Sequence, residues 1–294
     1  MFKHFVFGAI FLCAACQTTN DSLTVCFTGD VLLDRGVRKR IEKAGISSIF
    51  RNVTSLFLSS DAVVINLECP VTNTISPLNK KYIFRANPEW LPVLRRQGIT
   101  HAAMANNHIM DQGYGGITDT YLHLKASNIT PVGYGENQCE ACKPCIIEKN
   151  NIQVALFNSL LLPVENWICI AENKGICQAP IEQLCELIAA YKSNNPDDWV
   201  VVMLHWGIEF QKIPTPLQRK NARHLVDAGA DAIIGHHPHV IQNEEIYNGK
   251  PIFYSLGNFV FDQKEDDRST RLAVSIIFNK SEITFEKHLM KRLY

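Results

Sequence analysis

The sequence predicts an α/β fold whose strands deliver metal-type side chains to one sheet edge. Three observations carry this reading. Short apolar runs of strand length recur at 23–27, 62–67, 99–104, 199–204 and 230–234. Helix-like stretches alternate with them, as a strand–helix–strand pattern requires. The runs end on residues able to hold a metal: Asp30, Glu68, Asn107, His205, and the pair His237 and His239. In open α/β sheets the carboxyl edge is where ligands bind.

Residues 23–27 read as the first strand, closed by Thr28-Gly29-Asp30, where glycine lets the backbone turn before the carboxylate. Taken alone, Asp30 reads as readily as a cap for the helix expected at 35–44. A helix at 49–58 leads to the second strand, which ends Asn66-Leu67-Glu68-Cys69-Pro70, the proline forbidding continuation. Pro88 suits the first turn of a helix at 89–97. Arg85, just before it, is either a surface charge or a guanidinium that clamps a phosphate or carboxylate. The third strand, 99–104, ends Ala105-Asn106-Asn107-His108. There Asn107 offers a carbonyl oxygen to a metal and His108 a proton to a leaving group. A glycine-rich turn (Gly113, Gly115, Gly116) then precedes a helix reaching residue 127.

Residues 145–148 and 152–157 read as a hairpin turning on Asn150-Asn151. A helix at 181–191 follows, then the strand 199–204, which delivers His205-Trp206-Gly207. An amphipathic helix at 215–228 leads to the strand 230–234 and to Gly235-His236-His237-Pro238-His239. Two imidazoles two residues apart on such a turn can reach one metal or two adjacent ones. A strand at 252–256 ends at Gly257-Asn258-Phe259, and 271–278 with 283–288 form a closing hairpin. Hard oxygen donors mixed with imidazoles suit Mn, Fe or Zn. Two ions a few Å apart would account for six ligands and activate water for attack on a phosphoryl or similar centre.

Composition narrows the partners. With 46% hydrophobic and 20% charged residues, disorder is excluded, and 294 residues build one large α/β domain or two small ones. Lys+Arg and Asp+Glu are equal at 29 each, so no field of one sign exists to attract nucleic acid. Lys3 and the apolar run 5–15 mark residues 1–15 as an export signal, too short to span a bilayer. A linker, 16–22, leads to the body, 23–294. Leu12-Cys13-Ala14-Ala15-Cys16 resembles the bacterial lipoprotein box, in which the last cysteine, here Cys16, is lipidated. Small residues at 13 and 15 would equally suit ordinary cleavage before Cys16.

Export would place the other eight of ten cysteines in an oxidising compartment. Cys139, Cys142 and Cys145 stand at three-residue spacings without a fourth thiolate nearby, which favours a helical turn entering a strand over a metal cluster. A disulfide within this group, or with Cys169, Cys177 or Cys185, is expected, its pairing open.

The blocks FTGDVLLDRG, NLECPVT, FRANPEW, ANNHIMDQG, LHWGIEF, GADAIIGHHPHVIQ and YSLGNFVFDQ, in this order, resemble the capsule-synthesis CapA family. Also called the poly-γ-glutamate synthesis protein family, it is a branch of the calcineurin-like metallophosphoesterases. The resemblance covers nearly the whole body and implies that superfamily's fold, a four-layer α/β/β/α sandwich with two divalent ions. Carried over, Asp30 and His239 would hold the first ion, and Glu68 stands where the superfamily has a bridging Asp. Asn107, His205 and His237 would hold the second. His108 and Asn107 would carry the chemistry, and Arg35, Arg85, Asn66 and Asn258 would contact substrate. The chain departs from the superfamily at Leu32, where a metal-binding His is expected, and at Glu68. The implied function is an exported hydrolase-like protein acting on an anionic envelope polymer or its precursor. The alternative is a non-catalytic polymer-binding partner of membrane-bound synthase or export subunits.

Overall fold

The computed structural model describes residues 21–162, 174–263 and 270–291. The expected export signal, Cys13, Cys16 and Cys169 lie outside the described residues. The chain begins β1 (Leu23–Val31), α1 (Arg35–Ala44), α2 (Thr54–Ser59), β2 (Ala62–Leu67), α3 (Leu91–Arg96), β3 (His101–Ala103), α4 (Gly113–Ala126) and β4 (Thr130–Val132). It continues β5 (Tyr134–Gly135), α5 (Gln138–Ala141), β6 (Cys145–Lys149), β7 (Ile152–Leu160), β8 (Gly175–Ile176), α6 (Ile181–Asn194) and β9 (Trp199–His205). The last part is α7 (Pro216–Asp227), β10 (Ala232–His236), β11 (Glu244–Tyr247), β12 (Lys250–Phe253), β13 (Asn258–Val260), β14 (Thr270–Phe278) and β15 (Ile283–Lys291).

Two large sheets form. One has the order β15-β14-β1-β2-β3-β4, with β13 on the end of β1; the other is β11-β12-β10-β9-β7-β6. Strand periodicity of two explains why they stack. Val25, Phe27 and Val64 of the first sheet meet Val154, Leu156, Val201, Met203 and Ile234 of the second. The alternate residues Cys26, Val63 and Ile65 face outward onto Val37, Ile41, Ile117 and Leu124 of α1 and α4. On the far side, Phe157, Val200, Val202 and Ile233 pack against Leu184, Ile188, Ala222 and Leu225 of α6 and α7. Each central strand is thus buried on both faces, and the layers run helix, sheet, sheet, helix.

Several elements differ from expectation for local reasons. β1 runs on to Val31, so Asp30 lies inside the strand, where pairing with β2 shifts register between Phe27 and Asp30. The helix expected at 49–58 is split into a 3-10 turn, Ile46–Ile49, and α2. Phe50 and Val53, at φ −113° and −122°, depart from helical geometry between them. The helix at 89–97 likewise opens with a 3-10 turn over Pro88–Trp90. The third strand is only three residues long. Gly115 and Gly116 form no turn but sit in the first turn of α4; only Gly113, at φ +65°, takes a left-handed conformation. β10 is shifted two residues forward, so His236 belongs to the strand. β4, with Pro131 inside it, and β11, with its alternating exposure, are edge strands that hydrophobic runs do not reveal.

Other expectations match the structure. α1 has the expected bounds, with Asp34 as its cap rather than Asp30. α7 opens on a reciprocal capping box between Thr215 and Gln218. The hairpin of β6 and β7 turns on Asn150 and Asn151, both left-handed at φ +53° and +60°. α5 forms the turn preceding β6, and Cys142 pairs with Cys177, tying that turn to the residue after β8. Cys139 and Cys145 remain free thiols.

Candidate metal centre

Strand register assembles the site. Pairing of β1 with β2 sets Asp30 beside Asn66, pairing with β13 sets it beside Asn258, and pairing of β9 with β10 sets His205 beside His236. Two glycines permit the approach. A Cβ on Gly29 would lie 2.0 Å from the Gly257 carbonyl oxygen, and one on Gly235 would lie 1.9 Å from the Tyr254 carbonyl oxygen. Only glycine fits at either place. Trp206 turns into the helix side of its sheet and donates Nε1–H to the Tyr254 carbonyl at 2.9 Å, which leaves His205 facing the other way. After His236 the chain kinks sharply. His237 and His239 hold φ of +96° and +59°, a conformation that non-glycine residues adopt at a cost of about 1–3 kcal/mol.

The six ligand candidates converge. Asp30 Oδ1 accepts from Asn66 Nδ2 at 2.8 Å, and Asp30 Oδ2 lies 3.2 Å from His239 Nδ1. His239 Nε2 is 3.6 Å from Glu68 Oε1. His205 Nε2 meets Asn107 Oδ1 at 2.9 Å, and the His205 and His237 rings are 4.9 Å apart. Asp30, Glu68 and His205 offer ligand atoms within 4.8 Å of one another, as do Glu209, His237 and His239.

Burial sets the charge state. His205 is pushed well below its ordinary range by burial, then by the neighbouring His237. Burial, then His239, brings His237 down to about 3. Both rings are therefore neutral near pH 7. Burial would raise Asp30, but the hydrogen bond and charge of His239 outweigh it and hold the carboxyl below its usual range. Glu68 goes the other way. Burial, then the charges of Asp30, Glu209 and Asp111, push it well above the usual carboxylate range against the pull of Lys80.

Two features test whether a metal fits. Both carboxylate oxygens of the fully buried Glu68, and Nδ1 of His237, have no hydrogen-bond partner. Buried polar atoms are normally paired, and leaving one unpaired costs about 1–3 kcal/mol. The orphans here are a carboxylate and a neutral imidazole, the donor types that divalent Zn, Mn or Fe takes. The residues fit the ion.

His108 lies beside this cluster with Nδ1 2.8 Å from Asp111 Oδ2. Asp111 is itself held by the Phe84 backbone N–H at 2.8 Å and by Lys80 Nζ at 2.8 Å. Lys80 also donates to the Asn107 carbonyl at 2.6 Å. Burial lowers the His108 ring, with Asp111 opposing. A cavity of about 200 Å³ opens over the cluster, lined among others by Arg35, His108, Glu209 and His239.

The four expected substrate contacts have different placements. Arg35 lines the cavity, half-exposed, its Nε 3.1 Å from Asp262. Arg85 does not line that cavity; its Nη1 donates to the Thr72 carbonyl at 3.3 Å. Asn66 is buried and bonds Asp30 while lying 3.3 Å from His205 Nδ1. Asn258 Oδ1 contacts His239 Nδ1 at 2.9 Å, and its Nδ2 donates to Gln263. The two asparagines orient ligand-type side chains. Sequence reading passed over Lys80, Asp111 and Glu209. The signals were present in His108-x-x-Asp111, at a one-turn spacing, and in the acid two residues past Gly207.

Residues 24–263 match the family described as bacterial capsule synthesis protein PGA_cap. The PGA biosynthesis protein CapA of Bacillus subtilis is 38% identical over 248 residues, covering 83% of this chain and 65% of that protein. The capsule biosynthesis protein CapA of Bacillus anthracis is 35% identical over 250 residues, covering 83% and 61%. The chain thus spans a little under two thirds of the length of these relatives. Among solved structures, the NAD nucleotidase of Haemophilus influenzae superposes with a TM-score of 0.56 at 12% identity, covering 92% of this chain and 50% of that one. The sulfate thiohydrolase SoxB of Thermus thermophilus superposes with a TM-score of 0.51 at 11% identity, covering 92% and 57%. At such identities the likeness shows the fold alone, which is that of the calcineurin-like metallophosphoesterases. Matched over most of its length, the chain belongs to the bacterial capsule synthesis protein PGA_cap family.

Proposed function

We propose that the chain is an exported, lipid-anchored, metal-dependent hydrolase-like protein that acts on an anionic envelope polymer, poly-γ-glutamate or its precursor, during capsule synthesis. The observation that carries the reading is that His108, paired with Asp111, and His239, next to the orphaned Glu68 carboxylate and His237 imidazole, line one cavity. Asp30, Glu68, Asn107, His205, His237 and His239 would hold two divalent ions, Mn, Fe or Zn. When bound, such ions supply Lewis acidity to the scissile centre and to an attacking water. Asp111 accepts the Nδ1 proton of His108 and fixes the ring, so that Nε2 is the atom that moves a proton to or from the leaving group. Lys80 stabilises the Asp111 carboxylate in turn. Arg35, at the cavity wall, meets an anionic group of the substrate.

The test is a screen of metal-loaded protein on phosphoesters and γ-glutamyl peptides. His108→Ala should lower turnover about 10²–10⁴-fold with its metal content unchanged. Absence of any hydrolysis by metal-loaded wild type would sink the enzymatic reading. Relatives named for capsule biosynthesis rather than hydrolysis favour a second reading, a non-catalytic holder of the growing polymer on membrane-bound synthase subunits. Under it, His108→Ala restores full capsule formation in a deletion strain and the synthase subunits co-purify. The anchor has its own check. A clickable fatty-acid label should enter wild type and be absent from Cys16→Ser; equal labelling of both removes Cys16 as the lipid site.

A further inference from the structure

We propose that Glu209 is a metal ligand, sharing one ion with His237 and His239, two histidines that the family resemblance divides between two ions, at a site to which position 32 offers no donor. The inference rests on the reading of this site as a metal centre and extends it to a residue on a separate loop. Leu32 is fully buried and packs in the helix-side core of its sheet, so no donor enters the site from there.

Glu209 stands in the right place to supply the missing donor. It lines the cavity over the cluster, and its carboxylate, His237 and His239 offer atoms within 4.8 Å of one another. Donors sharing one tetrahedral ion at about 2.0–2.2 Å stand about 3.3–3.6 Å apart, so closure needs a movement of about 1 Å at most of these atoms. The exposed Glu209 side chain is free to make it.

The two imidazoles point to a ligand independently of Glu209. His237 is 7% exposed, and its Nδ1 is buried without a partner. His239 Nδ1 faces two acceptors, Asn258 Oδ1 at 2.9 Å and Asp30 Oδ2 at 3.2 Å, so Nδ1 carries a hydrogen and Nε2 is the ring atom left to meet an ion. The loop bearing Glu209 is tied to the histidine turn. Phe210 donates its backbone N–H to the Pro238 carbonyl at 2.8 Å, and left-handed conformations at Gly207 and Phe210, φ +90° and +65°, bend the chain back over the site. The set suits divalent Zn, Mn or Fe.

The test uses chelator-stripped full chain titrated calorimetrically with Mn²⁺ and Zn²⁺, with the visible spectrum of the Co²⁺ form as a second readout. Glu209→Gln is the variant; the position is exposed, so folding is preserved and is checked by circular dichroism. The expected result is that wild type binds two ions and Glu209→Gln weakens one of them at least ~100-fold, above the 10–100-fold that loss of an outer-shell partner gives. A change in the Co²⁺ bands should accompany it. Equal affinities and identical Co²⁺ spectra for the two proteins overturn the inference while leaving the metal centre intact. Wild type that binds no ion overturns both.

Discussion

His237→Ala is expected to lose at least one bound divalent ion per chain and to abolish measurable hydrolysis. The argument is geometric. His237 sits on the turn between the two groups of donors, its ring 4.9 Å from His205 and 6.0 Å from His239, with Nδ1 buried and unpaired. Alanine removes that donor and leaves a void in a desolvated pocket that water fills poorly as a ligand. The backbone complicates the reading, because φ of +96° disfavours alanine nearly as much as histidine. His237→Gly separates the two effects. It relieves the strain and should be about 1 kcal/mol more stable than the alanine variant, yet equally short of metal. Elemental analysis of the three purified proteins, beside their urea midpoints, measures this. Full metal content in either variant would remove His237 from the ligand set.

Glu68→Gln is expected to make the metal-free protein more stable and the metal-bound protein less so. Glu68 is fully buried, both its oxygens lack partners, and Asp30 stands near it. Without a cation, the fold must either bury an unpaired charge or keep the carboxyl protonated. Because burial and Asp30 raise this carboxyl well above its ordinary 4.5, the fold retains a proton that the unfolded chain releases above that pH. Its contribution is therefore full below pH 4.5 and is lost as the pH rises through the raised value. Glutamine has no such proton, so the variant's advantage grows with pH, reaching about 1–3 kcal/mol, or several degrees in midpoint for a chain of this size. Saturating Mn²⁺ should reverse the order, since an ion that binds only the folded wild type stabilises it by mass action. Chelated wild type and variant compared at about pH 5 and about pH 8 decide the matter. Equal midpoints at both values would show that Glu68 carries no unbalanced charge.

Local chemistry in the sequence was enough for the α1 boundaries, the β2 boundaries, the Asn150-Asn151 hairpin and the places of Glu68 and His205 at the ends of β2 and β9. Apolar runs, turn residues and caps act over a few residues, so they are visible in one dimension. Even there competition blurred the outcome. An expected helix is interrupted where Phe50 and Val53 depart from helical geometry, and β4 and β11 escaped notice because edge strands are partly polar and tolerate proline.

By itself, then, the sequence determined the two-faced burial of the central strands and the types of donor near their carboxyl ends. Tertiary structure alone decided which donors share a pocket and which partners hold them. Asn66 and Asn258, expected at the substrate, orient Asp30 and His239; Arg85 lies off the cavity; Lys80 supports Asp111 and His108; Glu209 arrives on a separate loop. The reason is physical. A side chain's type fixes what it can bond, but its partner is set by register and by the close approach of backbones at Gly29 and Gly235. Those contacts join residues as far apart as Asp30 and His237, whose separation along the chain hides them from any local pattern.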